Sequence, residues 1–159
     1  MRVLGIDPGT AILGFGVIEK QLSSLSVLSF GCLRLSARLS FSAKLKAIFE
    51  KIEDVVSEFQ PDSVAIESLF YAKNPKVAIK MAHARGVILF AAENQGLPIA
   101  EYSPREVKQS VTGNGGASKE QVQRMLQQIL VMKEIPTPLD ASDALAVAMC
   151  HLHRAKVSI

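Results

Sequence analysis

The spacing of apolar residues changes character near residue 45, and that change restricts the fold more than any other feature of the chain. Before it, three short apolar stretches, Arg2 to Ile6, Gly14 to Ile18 and Ser26 to Leu35, are separated by the turn formers Asp7-Pro8-Gly9 and Ser23-Ser24. They read as strands, and neighbouring strands with short links predict an antiparallel meander. After it, Ile48, Phe49, Ile52, Val55, Val56 and Phe59 recur at helical spacing, with Lys46, Glu50, Lys51, Glu53 and Asp54 between them. That is an amphipathic helix, ended near Pro61.

From there strands and helices alternate. A short strand, Ser63 to Ile66, stops at Glu67, and the Ala-rich stretch Pro75 to Gln95 reads as a helix with Gly96 as its stop. Leu97 to Tyr102 supplies a fifth strand and Pro104 to Val111 a short helix. The loop Thr112-Gly113-Asn114-Gly115-Gly116 must be flexible or take unusual dihedrals. Ser118-Lys119-Glu120-Gln121 has the form of a capping box, opening a helix that carries Val122, Met125, Leu126, Ile129 and Leu130. A last helix begins at about Asp140 and is apolar on all sides from Ala144 to Cys150, which predicts burial. This order specifies an α/β fold: a five-stranded mixed sheet, a three-strand antiparallel meander plus two parallel strands, flanked by helices. The 159 residues suit a single domain spanning 1–159.

Composition removes several function classes. At 48% apolar and 21% charged residues the chain is an ordinary globular protein, and no run approaches the roughly 20 apolar residues of a membrane helix. Cys32 and Cys150 are too far apart in sequence to suggest a zinc knuckle or a disulfide framework, so a cytoplasmic setting is expected. His83, His151 and His153 form no ligand pattern with them, and His151 and His153 read as the basic tail of a helix.

The chemistry is expected from acids. Asp7 ends the first strand and Glu67 the fourth, the edge where open α/β sheets form sites, while Asp140 and Asp143 share one turn of the last helix. Each has a bland explanation alone: Asp7 as a turn former, Glu67 as a solvated strand end, Asp140 as an N-cap, Asp143 as a charge favourable to the helix dipole. Together they form a cluster whose mutual repulsion calls for a hard cation. Mg²⁺ takes oxygen ligands and shares its shell with substrate phosphate, and a pair of such ions suits in-line displacement at phosphorus.

A basic block lies beside this cluster. No acid occurs between Glu67 and Glu93, whereas Lys73, Lys76, Lys80, His83 and Arg85 do, with Lys76 and Lys80 on one helical face. Such a stripe either grips a phosphate backbone or is a solvated face. Arg105, Lys108 and Lys119 bracket the glycine-rich loop. Phe70 and Tyr71 either stack on bases or belong to the core.

The segments Met1 to Thr10 around Asp7-Pro8-Gly9, Ala65-Ile66-Glu67 with Phe70 and Ala72-Lys73-Asn74, Ala84-Arg85-Gly86, Gly113 to Gln123, and Asp140-Ala-Ser-Asp143-Ala-Leu-Ala closely resemble the RuvC family of bacterial Holliday junction resolvases. The resemblance covers almost the whole chain. It implies a ribonuclease H-like fold, a homodimer, and nicking of two opposed strands at a four-way DNA junction with Mg²⁺ or Mn²⁺, two ions per site. It implies that Asp7, Glu67, Asp140 and Asp143 bind metal, that Phe70 contacts the junction, and that Lys108 and Lys119 lie near the scissile phosphate. It also implies work alongside the RuvA and RuvB branch-migration complex. Competing readings are a nuclease of the same fold acting on RNA-DNA hybrid or precursor rRNA, and a junction-binding module without catalysis. An actin-like ATPase would need two such lobes, and the chain has length for one.

Overall fold

A computed structural model describes residues 1–22, 24–68 and 74–155. Among them are five strands, β1 (Arg2–Asp7), β2 (Ile12–Gln21), β3 (Ser24–Arg34), β4 (Ser63–Glu67) and β5 (Ile99–Tyr102). The helices are α1 (Phe41–Phe59), α2 (Pro75–Asn94), α3 (Pro104–Thr112), α4 (Lys119–Ile129) and α5 (Leu139–Arg154). One sheet runs in the order β3-β2-β1-β4-β5, with β1, β2 and β3 antiparallel and β1, β4 and β5 parallel. The expected meander and parallel extension are both present.

The two faces of the sheet are built from different side chains. Leu4, Ile6, Leu13, Phe15, Val64 and Ile66 point to one face and bury Ile48, Ile52 and Val55 of α1 and Ile88 and Ala91 of α2. Each such aliphatic chain stabilises the fold by about 1.5–3 kcal/mol when fully buried. On the other face, Val3, Ile18 and Ala65 pack under α5, which α3 and α4 cover through Val107, Val111, Val122 and Leu126. Covered by sheet and helices alike, α5 is buried throughout Ala144 to Cys150, as its all-round apolarity predicts.

Local chemistry explains where several elements begin. Helix α1 starts before Leu45 because the Ser40 hydroxyl caps it, accepting from the Ala43 amide at 3.2 Å. Asp140 is not the N-cap of α5 expected from sequence: Pro138 occupies that position in an extended conformation, and Asp140 lies in the first turn. The glycine-rich loop does contain an unusual dihedral, Gly113 at φ +75°, ending α3 in the left-handed region that glycine adopts without penalty. It is also held in place, since Gln109 donates to the Gly113 carbonyl at 2.7 Å and accepts from the Gly115 amide at 3.0 Å.

Candidate active site

The site begins with the register of two parallel strands. Ile6 pairs with Ile66, so Asp7 and Glu67 follow side by side at the carboxyl ends of β1 and β4, one interstrand spacing of about 4.8 Å apart. Strand alternation puts both on the face that carries Gly5 and Ala65, the α5 face. Asp7 also stands opposite Gly14 of β2.

Three glycines then decide how closely α5 approaches. A Cβ at Gly5 would overlap the Ala144 carbonyl oxygen and lie 2.6 Å from the Ala148 nitrogen. At Gly14 it would overlap the Asp140 carbonyl oxygen, and at Gly16 it would lie 2.8 Å from Leu145 Cδ2. The helix backbone therefore rests on the bare sheet, and its first turn is seated against the strand residue facing Asp7. Asp140 and Asp143 are brought to Asp7 and Glu67 by this contact. No sequence reading of the acids alone reveals it, although glycine at 5, 14 and 16 in strand alternation with Asp7 is the signal.

The charges act on one another. Burial, then the neighbouring charges of Glu67, Asp143 and Asp140, push the Asp7 carboxyl up to about 8, against a lowering by Lys119. Glu67 is raised by burial and by Asp143, and lowered by Lys119 and Lys108. Lys119 donates to Asp143 Oδ2 at 2.5 Å, and this bond raises its own pKa. A cleft of about 260 Å³ opens between them, lined by Glu67, Asp143, Lys108, Lys119, Pro104 and Val107.

Four oxygen-donor groups, two of them reluctant to ionise together, fit a hard divalent cation. Among the described residues no three His, Cys, Asp or Glu side chains already stand as a closed metal cage.

The remaining expected site residues fall into four groups. Lys108 and Lys119 line the cleft, while Lys76 and Lys80 are exposed on the first turns of α2. Arg85 is turned away from such a stripe: it pairs with Glu101 of β5, so its charge is used within the fold. Phe70 and Lys73, with Tyr71, lie outside the described residues. His151 lies in the last turn of α5, as expected, but it does not point freely into solvent. It is half-buried between Tyr102 Oη at 2.8 Å and Ser63 Oγ at 3.1 Å, and burial lowers its pKa. His153 is exposed, as expected.

Comparison with known proteins places this arrangement. Residues 3–151 match the family model described as crossover junction endodeoxyribonuclease RuvC. The chain belongs to the RuvC family. The RuvC of Syntrophomonas wolfei is 46% identical over 99% of this chain and 92% of its own, and that of Tolumonas auensis is 51% identical over 95% and 86%. Thermus thermophilus RuvC, solved in complex with a Holliday junction substrate, superposes with a TM-score of 0.93 at 35% identity, covering 98% of this chain and 94% of that one. The five-stranded sheet with its flanking helices is thus the ribonuclease H-like fold of RuvC structures.

Proposed function

We propose that this RuvC-family chain resolves four-way (Holliday) DNA junctions in recombination and repair, cutting two opposed strands by metal-assisted hydrolysis as a homodimer. The observation that carries it is the convergence of four acids and two lysines at one sheet edge, in a chain that superposes on a RuvC bound to a Holliday junction substrate.

Asp7 and Glu67 from the strand ends, with Asp140 and Asp143 from α5, are the residues that would hold Mg²⁺, or Mn²⁺ in its place. Two such ions, when bound, supply an activated water and stabilise the leaving oxygen. The protein's part is positional and electrostatic. The glycine seat sets the backbone of α5 against β1 and β2, and so brings the helical acids to the strand acids before substrate arrives. Burial and the like charges around it hold the Asp7 carboxyl up at about 8, so a bound cation would favour its ionised form. Lys119 and Lys108 face the cleft from α4 and α3, where they can neutralise a phosphate oxygen.

The dimer is supported by α2. Its Ala84, Ile88, Ala91 and Ala92 are buried in the core, yet Ile79 is 57% and Phe90 62% exposed. With Leu45, Ala82, His83 and Gly86 they line an apolar groove of about 510 Å³. A second copy covering that groove by twofold symmetry would present two identical sites to a symmetric junction. Leu89, on another side of the helix, is partly buried and packs against the core. A cytoplasmic enzyme acting with the RuvA and RuvB complex fits the family, and among the described residues no helix is long and apolar enough to cross a membrane.

Metal substitution tests this reading. Junction cutting is expected with Mg²⁺ or Mn²⁺ and not with a chelator, while Ca²⁺ should support binding but little cutting, because its larger, looser shell holds the attacking water less well. Equal rates with Mg²⁺ and Ca²⁺ would contradict the two-ion account. Phe90→Glu should yield monomers in sedimentation and singly nicked junctions; a dimeric variant making paired cuts would remove the α2 interface.

A further inference from the structure

We infer that a second basic strip, Arg34, Arg38 and Lys44, continues the phosphate-binding surface from the acid site to the start of α2 and holds a duplex arm of the substrate. This rests on the reading that the substrate is branched DNA.

The strip is visible first as charge. Between Glu19 and Glu50 the chain has no acid, although Lys20, Arg34, Arg38, Lys44 and Lys46 fall there. Topology then brings three of these to the active edge. Strands β1 and β3 run the same way, and β3 ends at Arg34 opposite Ile12 of β2, just as β1 ends at Asp7 opposite Gly14. Arg34 therefore lies two strands across from Asp7, about 10 Å sideways, which is roughly three base-pair rises of 3.4 Å along a duplex. The Leu35 amide donates to the Ala11 carbonyl at 2.8 Å, pinning the start of the strip to the turn that follows Asp7.

Beyond Arg38 the strip meets α2. Phe41, first residue of α1, packs edge-on against His83 with ring centroids 5.8 Å apart, and the Lys80 ammonium lies 5.9 Å from the Phe41 ring centroid. Lys44, one turn along α1, thus stands on the side that leads to Lys80. Among the described residues none of Arg34, Arg38, Lys44, Lys76 and Lys80 forms an ion pair, whereas Arg2, Lys46, Arg85, Lys119 and Arg154 each pair with an acid. Cations left unpaired in a row and continuous with a phosphate-cutting site match a polyanion of extended, regular charge. The helix ends add to this: α1 and α2 have no acid in their first turns, while α3, α4 and α5 open with Glu106, Glu120 and Asp140.

A salt titration of junction binding in Ca²⁺, paired with single-turnover cutting in Mg²⁺, tests the strip. In the triple variant Arg34→Gln, Arg38→Gln, Lys44→Gln, affinity near 0.1 M salt should fall at least about tenfold and the slope of log K against log salt should flatten by about 2–3, near 0.9 per lost phosphate contact. The cutting rate at saturating protein should stay within about twofold of wild type. The charge-conserving variant Arg34→Lys, Arg38→Lys, Lys44→Arg should recover the slope, and Lys46→Gln, whose ammonium is engaged with Glu50, should leave it unaltered. An unchanged affinity and slope in the Gln variant would overturn the strip and leave it for an acidic protein partner. A lost cutting rate with an unchanged slope would equally overturn it, by showing a structural defect. Wild-type protein that neither binds nor cuts junctions would instead defeat the substrate reading beneath it.

Discussion

The same strands present two unlike faces, and the contrast explains how this small protein divides its work. Towards α1 and α2 the strands offer Leu4, Ile6, Phe15, Val64 and Ile66, a thick aliphatic layer that holds the helices at ordinary side-chain distance. Towards α5 they offer Gly5, Gly14, Gly16, Ser63 and Ala65, and the helix comes down onto the backbone. A thick layer tolerates adjustment, because neighbouring side chains can shift into small gaps. A bare backbone seat does not, and it is the bare face that carries all four acids. Stability is spread over one face and geometry is concentrated on the other.

Perturbing the faces separately should break or sharpen that division. The largest effect is expected from Asp7→Asn, which removes a charge from the bare face without changing its shape. Single-turnover cutting should fall by about 10³-fold or more, the scale on which a preorganised electrostatic group acts, with junction binding and the thermal midpoint retained. Next is Gly5→Ala, whose Cβ would collide with the Ala144 carbonyl. It should cost about 1–3 kcal/mol as overpacking, and a displacement of α5 by about 1 Å should slow cutting roughly 10²-fold. Chemical denaturation and kinetics measure the two losses together.

On the aliphatic face, Ile52→Val should cost only about 0.5–1.5 kcal/mol and leave the cutting rate unaltered. A rate loss there as large as that of Gly5→Ala would erase the distinction between faces. The smallest effect lies at the rim of the bare face, where Glu106 closes a capping box with Ser103 and pairs with Arg154 at 2.7 Å. Hydrogen bonds from the Ser103 backbone and hydroxyl, then from Arg154, hold its carboxyl down to about 2. A lowered folded-state pKa means stability that is fully present above the ordinary value of 4.5 and lost as pH falls towards 2. Glu106→Gln should therefore cost about 0.5–1 kcal/mol at neutral pH, and the gap to wild type should close between pH 4.5 and 2 in urea melts.

Much of this organisation was legible in the sequence, and the limits have physical reasons. Strand and helix order followed from periodicity, and Asp7 and Glu67 were placed at one sheet edge because parallel strands end together. What periodicity does not encode is the distance between layers. Gly5, Gly14 and Gly16 look like weak strand residues until a helix is laid on them, and the mutual influence of the four acids depends on that approach. Long-range pairing was equally hidden: Arg85 read as part of a basic block, and only the fold brings Glu101 beside it. His151 does sit in the tail of a helix, but its burial was hidden because its partners, Ser63 and Tyr102, come from two strands far away in sequence. On α2 the apolar residues are divided in a way that composition does not reveal: Ala84, Ile88, Ala91 and Ala92 are buried in the core, whereas Ile79 and Phe90 are exposed.

The central claim is that the acids gathered on the glycine-seated face cut branched DNA. Labelled four-way junction, linear duplex and RNA-DNA hybrid should be offered together to the Mg²⁺-loaded protein and the products resolved by strand. Paired, symmetry-related nicks are expected in the junction, with duplex and hybrid left intact. Cleavage of the hybrid beside an uncut junction would contradict the claim.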